Sequence, residues 1–343
     1  MSLSNKVNLL LSEINKTANI TEIVINDCDK IFVEKNSVFT QLNAKLSKKD
    51  IDDFISATAK LNKKECSEKE PIFNGKLIDG SRVNIIMPPF SSPCAAITIR
   101  KFSHLKDDLD SGLEKFYLDP SWIDFFKAVV SARLNLVISG GTSSGKTSFL
   151  NMLLSAVHPA ERLVVIEDTL ELQIAHQNCV RLELLKSPNP VVNIELSDLV
   201  KNSLRMRPDR IIIGEVRSKE VVDLIDSMNT GHDGSITTIH ANNSVESLAR
   251  LEGLYAMGGR DIPVKSVRSQ IKNAIDLVIQ LKRVDKGMRV VSEIREVTGM
   301  EGDMISTQLL GEFKDGKLEK TKNPCECIEK LVRYGGLPKD FFN

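Results

Sequence analysis

At 343 residues, with 41% hydrophobic and 27% charged side chains, the chain has the composition of an ordinary globular protein and the length for two domains. Its 46 Lys and Arg balance 46 Asp and Glu, so the total charge points to neither a nucleic-acid nor an acidic-membrane partner. No apolar run approaches the roughly 20 residues that span a bilayer, and Met1–Lys6 lacks a signal-peptide pattern.

The first hundred residues read as a small α+β module. Val7–Ile14 is apolar at helical spacing, and Ile20–Ile25 and Lys30–Val33 alternate as strands around a turn at Asn26-Asp27. Ser47-x-x-Asp50 predicts a capped helix running through Leu61. Asp79-Gly80 predicts a hairpin between Gly75–Ile78 and Arg82–Met87, with a further strand at Ala95–Arg100. Residues 1–102 are thus expected as an N-terminal α+β domain, and the polar stretch 103–118 as a linker.

The second domain, 119–343, opens at Asp119-Pro120, an N-cap followed by proline at the first helical position. Leu134–Ile138 is a short continuous apolar run, as expected of a strand buried on both faces. Further strands are expected at Leu163–Ile166, Cys179–Leu182, Arg210–Ile213 and Ser235–Ile239. Helices are expected from about Ser197, over Val216–Met228 and over Val245–Met257. This alternation predicts a mostly parallel α/β sheet. The tail reads as hairpin strands (Leu277–Arg283, Arg289–Val297, Ile305–Phe313) and a last short helix. The cysteines (Cys28, Cys66, Cys94, Cys179, Cys325, Cys327) read as reduced thiols of a cytoplasmic protein. Cys325-x-Cys327 lacks the second pair that would complete a four-ligand zinc set.

Between the first strand and helix of this domain, Gly140-Gly141-Thr142-Ser143-Ser144-Gly145-Lys146-Thr147-Ser148 contains the complete phosphate-loop pattern. Glycines let successive backbone N–H groups face phosphate oxygens, and the following helix adds a positive N-terminus. Lys146 would reach the β- and γ-phosphates, and Thr147 would offer its hydroxyl to Mg²⁺. Transfer to water also needs a group that orients the water and carboxylates around the metal. Glu215, just past the strand Arg210–Ile213, is the expected general base, and Gly214 stands where a strand-end aspartate is usual. A second cluster, Glu167, Asp168 and Glu171, follows Leu163–Ile166. Glu167 suits the attacking water, and Asp168 and Glu171 the metal shell. Asp168 or Thr169 capping a turn is the plainer alternative. His232 and His240 flank the strand Ser235–Ile239 in a polar segment.

Taken in order, four segments resemble the secretion ATPases of type II, type IV pilus and type IV secretion systems. They are Gly140–Thr147, Ile166–Glu171, Ile211–Arg217 with its atypical glycine, and Thr230–Asn242. Leu204–Arg210, Met228–Ser235, Ile20–Ile23, Asp79–Asn84 and Thr98–Phe102 are similar to the CpaF-type ATPases of tight-adherence pilus systems. The resemblance implies a RecA-like P-loop NTPase C-terminal domain with a smaller α+β N-terminal domain, hydrolysing ATP with Mg²⁺ in a homohexamer. It further implies a cytoplasmic motor at the inner face of the membrane, with platform proteins as partners and no nucleic acid. His240 becomes a γ-phosphate sensor or subunit contact, and Arg82 and Arg100 become arginines that reach the phosphates. A conjugation or effector-secretion ATPase is the nearest alternative, and a RecA-like DNA motor or a nucleotide-sensing scaffold the more distant ones. Two departures stand out. The chain begins almost directly with the α+β module, where many CpaF-like proteins carry a helical N-terminal extension, and the last thirty residues, with Cys325-Glu326-Cys327, carry no segment that can be placed in the resemblance.

Overall fold

The computed structural model describes residues 6–15, 20–35, 38–101, 108–184, 193–259, 262–284 and 287–342. The chain divides into two units, residues 1–105 and 106–343.

In the first unit, α1 (Lys6–Asn15) precedes β1 (Ile20–Asp27), β2 (Lys30–Lys35), β3 (Val38–Gln41), α2 (Lys48–Leu61), β4 (Ile72–Lys76), β5 (Arg82–Ile86) and β6 (Ala96–Arg100). The strands form one antiparallel sheet in the order β3-β2-β1-β6-β5-β4. Period-two alternation buries Ile23, Ile25, Ile31, Val33, Val83, Ile85, Ile97 and Ile99 together with Ile51, Phe54 and Ile55 of α2. The capping box forms as read: Ser47 Oγ accepts from Asp50 N (3.2 Å) and Asp50 Oδ2 from Ser47 N (2.8 Å). The first turn lies two residues later than expected. Asn26 and Asp27 continue β1, Asp27 pairs with Lys30, and Asp27 Oδ1 accepts from Cys28 N (2.7 Å) to hold the turn at Cys28-Asp29. Arg82 and Arg100 are direct cross-strand partners on the face opposite Val83 and Ile99.

The second unit carries α3 (Gly112–Lys115), α4 (Pro120–Ser131), β7 (Leu136–Gly140), α5 (Lys146–Leu154), β8 (Leu163–Glu167), β9 (Cys179–Glu183), α6 (Leu196–Ser203), β10 (Arg210–Ile213) and α7 (Glu220–Asn229). It continues with β11 (Ile236–Ile239), α8 (Ser244–Ala256), α9 (Val264–Ala274), β12 (Leu277–Arg283), β13 (Arg289–Glu301), β14 (Met304–Lys314), β15 (Lys317–Lys320) and α10 (Ile328–Gly335). Its sheet runs β15-β14-β13-β12-β7-β11-β10-β8-β9, parallel from β12 to β9 and antiparallel through the tail strands. The phosphate-loop strand β7 and the Glu215 strand β10 are separated by β11, so their carboxyl ends open onto one crevice. β7, β8, β10 and β11 are buried along their whole length, which explains their apolar runs.

Three differences from the sequence reading concern this unit. The expected linker is not a free tether from Asp108 onward: Leu109, Phe116 and Leu118 are buried, and Phe116 meets Phe149 edge-on at 5.1 Å. Its apolar residues are few but spaced to reach the core. Residues 102–107, with Phe102 of the quoted similarity, lie outside the described residues. The helix expected from Val216 begins only at Glu220, leaving Gly214–Lys219 as a loop. The amphipathic helix α9 and the strand β15 were not anticipated.

Below the sheet, Trp122 of α4 donates its indole N–H to Leu318 O (2.8 Å) and packs on Phe341 and Phe342, so the chain end is part of the core. Arg210, 1% exposed, binds both oxygens of Glu161 (2.9 and 3.0 Å) and Val130 O (2.8 Å). A Cβ on Gly234 would stand 2.5 Å from Arg210 Nη1, and Gly234 has φ +82°, so only glycine fits where the chain enters β11.

Candidate active site at the carboxyl edge of the parallel sheet

The loop from Gly140 to Lys146 folds as the glycine pattern requires. Ser143 (φ 59°) and Gly145 (φ 98°) are both left-handed, and α5 starts at Lys146. Such a turn followed by a helix N-terminus makes a concave set of N–H donors suited to phosphate oxygens. A Cβ at Gly140 would meet Ser144 Oγ at 2.5 Å and Leu281 O at 2.7 Å, whereas Gly141 has nothing within 4 Å. Gly140 is thus required by packing, while the Gly141 side of the loop is open. Thr142 and Ser143 are exposed, and Thr147 and Ser148 are half-buried in the first turn of α5. Gly145 is flanked by Phe116 and by Arg289 of β13, a contact no local motif announces.

Lys146 is 8% exposed, and its Nζ donates to Gly140 O and Gly141 O (both 2.9 Å). It also lies 3.3 Å from His240 Nδ1, at the end of β11. An ammonium can only donate, so Nδ1 accepts and the ring proton sits on Nε2, which is 3.2 Å from Glu215 Oε1. Burial and then the Lys146 cation hold His240 below the usual imidazole range, against the pull of Glu215. Its neutral form is the one this geometry uses.

Glu215 Oε2 accepts from Arg217 Nη2 (2.6 Å), and Arg217 Nη1 donates to Asp168 Oδ2 (2.8 Å). Five side chains therefore form one chain of contacts, Lys146–His240–Glu215–Arg217–Asp168, drawn from four parallel strands. The loop carrying Glu215 and Arg217 is fixed by Glu220, whose Oε1 accepts from Arg217 N (2.5 Å) and Ser218 N (2.9 Å). Thr238 adds a bond to Gly214 O (2.7 Å). Arg217 holds Glu215 and Asp168 together, a role that spacing alone did not show.

Glu167 is placed differently from the water-positioning group expected. It is 3% exposed, and its Oε1 accepts from Glu171 N (2.8 Å) and Leu172 N (2.9 Å), with Arg181 3.4 Å from Oε2. Burial pushes its carboxyl up, opposed by the Leu172 N–H and Arg181. This carboxylate braces the segment 168–172. It also explains Gly214, since a Cβ there would stand 2.9 Å from Glu167 Cγ. Glycine replaces the usual strand-end aspartate because Glu167 fills that space.

For a divalent cation, the structure joins Thr147 and Glu171: Thr147 Oγ1 donates to Glu171 Oε2 at 3.4 Å. An all-oxygen pair beside a phosphate loop fits Mg²⁺, which keeps most of its water and takes one or two protein oxygens. Asp168, expected in the same shell, instead pairs with Arg217 and accepts from Thr169 N (2.8 Å). Arg82 and Arg100 belong to the first unit, opposite each other on β5 and β6. Gln280 of β12 was overlooked. It is 3% exposed and donates to Ala241 O (3.3 Å), and its Oε1 is buried without a hydrogen-bond partner. A lone amide in the run Leu277–Leu281 was the available signal.

A phosphate loop on one strand and a strand-end glutamate two strands away, in this strand order, define a P-loop NTPase of the RecA-like class. The sequence pattern of the family described as "Type II/IV secretion system protein" matches residues 6–327, and the chain belongs to that family. It is 33% identical over 289 residues to "Conjugal transfer protein TrbB" of Rhizobium radiobacter, covering 83% of this chain and 85% of that protein. It is 30% identical over 289 residues to "Protein VirB11" of Agrobacterium fabrum, covering 76% of this chain and 84% of the relative. The solved ATPase DotB of Yersinia pseudotuberculosis shares the fold, with a TM-score of 0.62 at 18% identity, over 84% of this chain and 78% of that one. These relatives bear conjugal-transfer and VirB11 names, so the resemblance holds at the level of the family rather than for the CpaF-type subgroup. No helix among the described residues is long and apolar enough to cross a membrane.

Proposed function

We propose that the chain is an ATP hydrolase driving a conjugal-transfer or type IV secretion apparatus. The observation that carries the reading is the contact series from Lys146 through His240 to Glu215. The loop N–H groups of Gly141–Thr147 and the Lys146 ammonium hold the β- and γ-phosphates, with Ser148 in the first turn of α5 beside them. Glu215, its second oxygen held by Arg217, orients the attacking water and accepts its proton. When Lys146 turns to the phosphates it releases His240 Nδ1, so His240 senses whether the γ-phosphate is in place. Mg²⁺ held by Thr147 and Glu171 would neutralise phosphate charge. Glu167 is a positioning residue for that segment.

Arg82 and Arg100 stand opposite each other on β5 and β6. We assign them to the phosphates, where guanidinium stabilises the spreading charge. The working form is a homohexamer at the cytoplasmic face of the membrane, with membrane components of the secretion apparatus as partners and no nucleic acid. The names of the TrbB and VirB11 relatives support transfer over tight-adherence pilus assembly.

The test has two arms. Purified protein should hydrolyse ATP in a Glu215-dependent way without stimulation by DNA at any salt concentration, and DNA stimulation with a steep salt dependence would favour a DNA motor. Deleting the gene should abolish conjugal transfer or secretion, and loss of a pilus alone would favour the tight-adherence reading.

A further inference from the structure

The C-terminal segment brings Cys325 and Cys327 onto Glu296 of β13. The two Sγ atoms lie 3.4 Å apart, Cys325 Sγ is 3.9 Å from Glu296 Oε1, and one ligand atom from each of the three residues falls within 4.8 Å of the others. Cys325 is 7% exposed and Glu296 3%, while Cys327 is half-buried and leaves an approach. The carboxylate is pre-oriented: Oε1 accepts from Cys327 N (2.7 Å) and Oε2 from Glu326 N (2.9 Å). The third ligand that a Cys-x-Cys pair needs therefore comes from a strand 29 residues earlier, not from a second cysteine pair.

We propose that Glu296, Cys325 and Cys327 form a zinc-class metal site that clips the C-terminal segment to β13. A tetrahedral ion with Zn–S bonds of about 2.3 Å sets its sulfur ligands roughly 3.8 Å apart, close to the separations present. Two thiolates with one carboxylate select a borderline-soft cation over Mg²⁺ or Ca²⁺. The Cys325 thiol, burial and the Glu296 carboxylate together push the Cys327 thiol far up. Thiolate ligation displaces thiol protons, so affinity rises with pH. The clip has a structural consequence, because α10 and the chain end that follow it supply Leu331, Phe341 and Phe342 to the core around Trp122.

The experiment uses the full chain, reduced with a phosphine and stripped of metal, titrated with Co²⁺ and then with Zn²⁺. About one Co²⁺ per chain should bind with a near-ultraviolet thiolate-to-cobalt charge-transfer band, and Zn²⁺ should erase the band. Zn²⁺ should also raise the thermal midpoint. Cys325→Ser/Cys327→Ser should lose the band and the midpoint shift, and Glu296→Gln should weaken binding at least about 10-fold. The other sulfur-bearing cluster among the described residues, Asp27, Cys28 and Cys94, is the control: Cys28→Ser/Cys94→Ser should keep the band. That arm decides the matter even if the first double variant does not fold. Absence of the band in the reduced wild type, its persistence in Cys325→Ser/Cys327→Ser, or its loss in Cys28→Ser/Cys94→Ser would overturn the proposal.

Discussion

Lys146 Nζ and His240 Nδ1 lie 3.3 Å apart, which couples the cation of the phosphate loop directly to the end of β11. His240 in turn reaches Glu215, so Lys146 and Glu215 share one imidazole. Replacing His240 with Ala should lower kcat about 10-fold, since an aligned polar contact is lost, with nucleotide affinity nearly unchanged. Equal kcat in variant and wild type would show that the contact is incidental.

The same imidazole gives a pH dependence. Burial and Lys146 lower its pKa from 6.5, and the neutral ring accepts from Lys146, so acid inactivates by protonating Nδ1. kcat/KM, which reports the free enzyme, should hold level from neutral pH down through 6.5 and decline only below it. A kcat/KM profile already falling as pH approaches 6.5 from above would contradict this arrangement.

Lys146→Ala should reduce hydrolysis by at least about 100-fold, because a charged donor to the transferring phosphoryl group is removed. The rate of phosphate release from purified protein checks it, and undiminished turnover refutes the placement of Lys146.

Gly214 is tied to Glu167. A methyl group at 214 would press on Glu167 Cγ at 2.9 Å, and Glu167 is pinned by two backbone N–H groups. Gly214→Ala should cost about 1–3 kcal/mol in chemical denaturation, as overpacking does, and should displace Glu215 enough to slow turnover. Gly214→Asp should be worse, with a second carboxylate against a buried one. A Gly214→Ala protein of wild-type stability and rate would remove Glu167 from this role.

For Arg82 and Arg100, single Ala variants should hydrolyse ATP more slowly while assembling like the wild type by light scattering. Normal rates in both would take them out of the phosphate site.

The elements around the phosphate loop were legible because their signals are local. The glycine spacing, the apolar runs of β7, β8, β10 and β11, and the Asp119-Pro120 and Ser47–Asp50 caps each need only a few neighbouring residues. Glu215 followed from the same logic, as a carboxylate just past an apolar strand. What failed depended on distant partners. Glu167 resembles its neighbour Asp168 in sequence, and only the packing of Gly214 and the N–H groups of Glu171 and Leu172 separate a bracing carboxylate from an exposed one. The start of α7 moved to Glu220 because that residue caps the loop carrying Arg217 and Ser218. Cys325 and Cys327 carried no complete motif, since their third partner, Glu296, stands on another strand.

The most direct measurement is ATP hydrolysis by Glu215→Gln beside the wild type, with nucleotide binding followed in the same preparations. Glutamine keeps the shape and, through its single oxygen, one of the two contacts to Arg217 and His240, but it cannot take a proton from water. Binding should persist while turnover falls about 100-fold or more. If the two proteins hydrolyse ATP at the same slow rate, Glu215 is not the base and the chain is not the motor described.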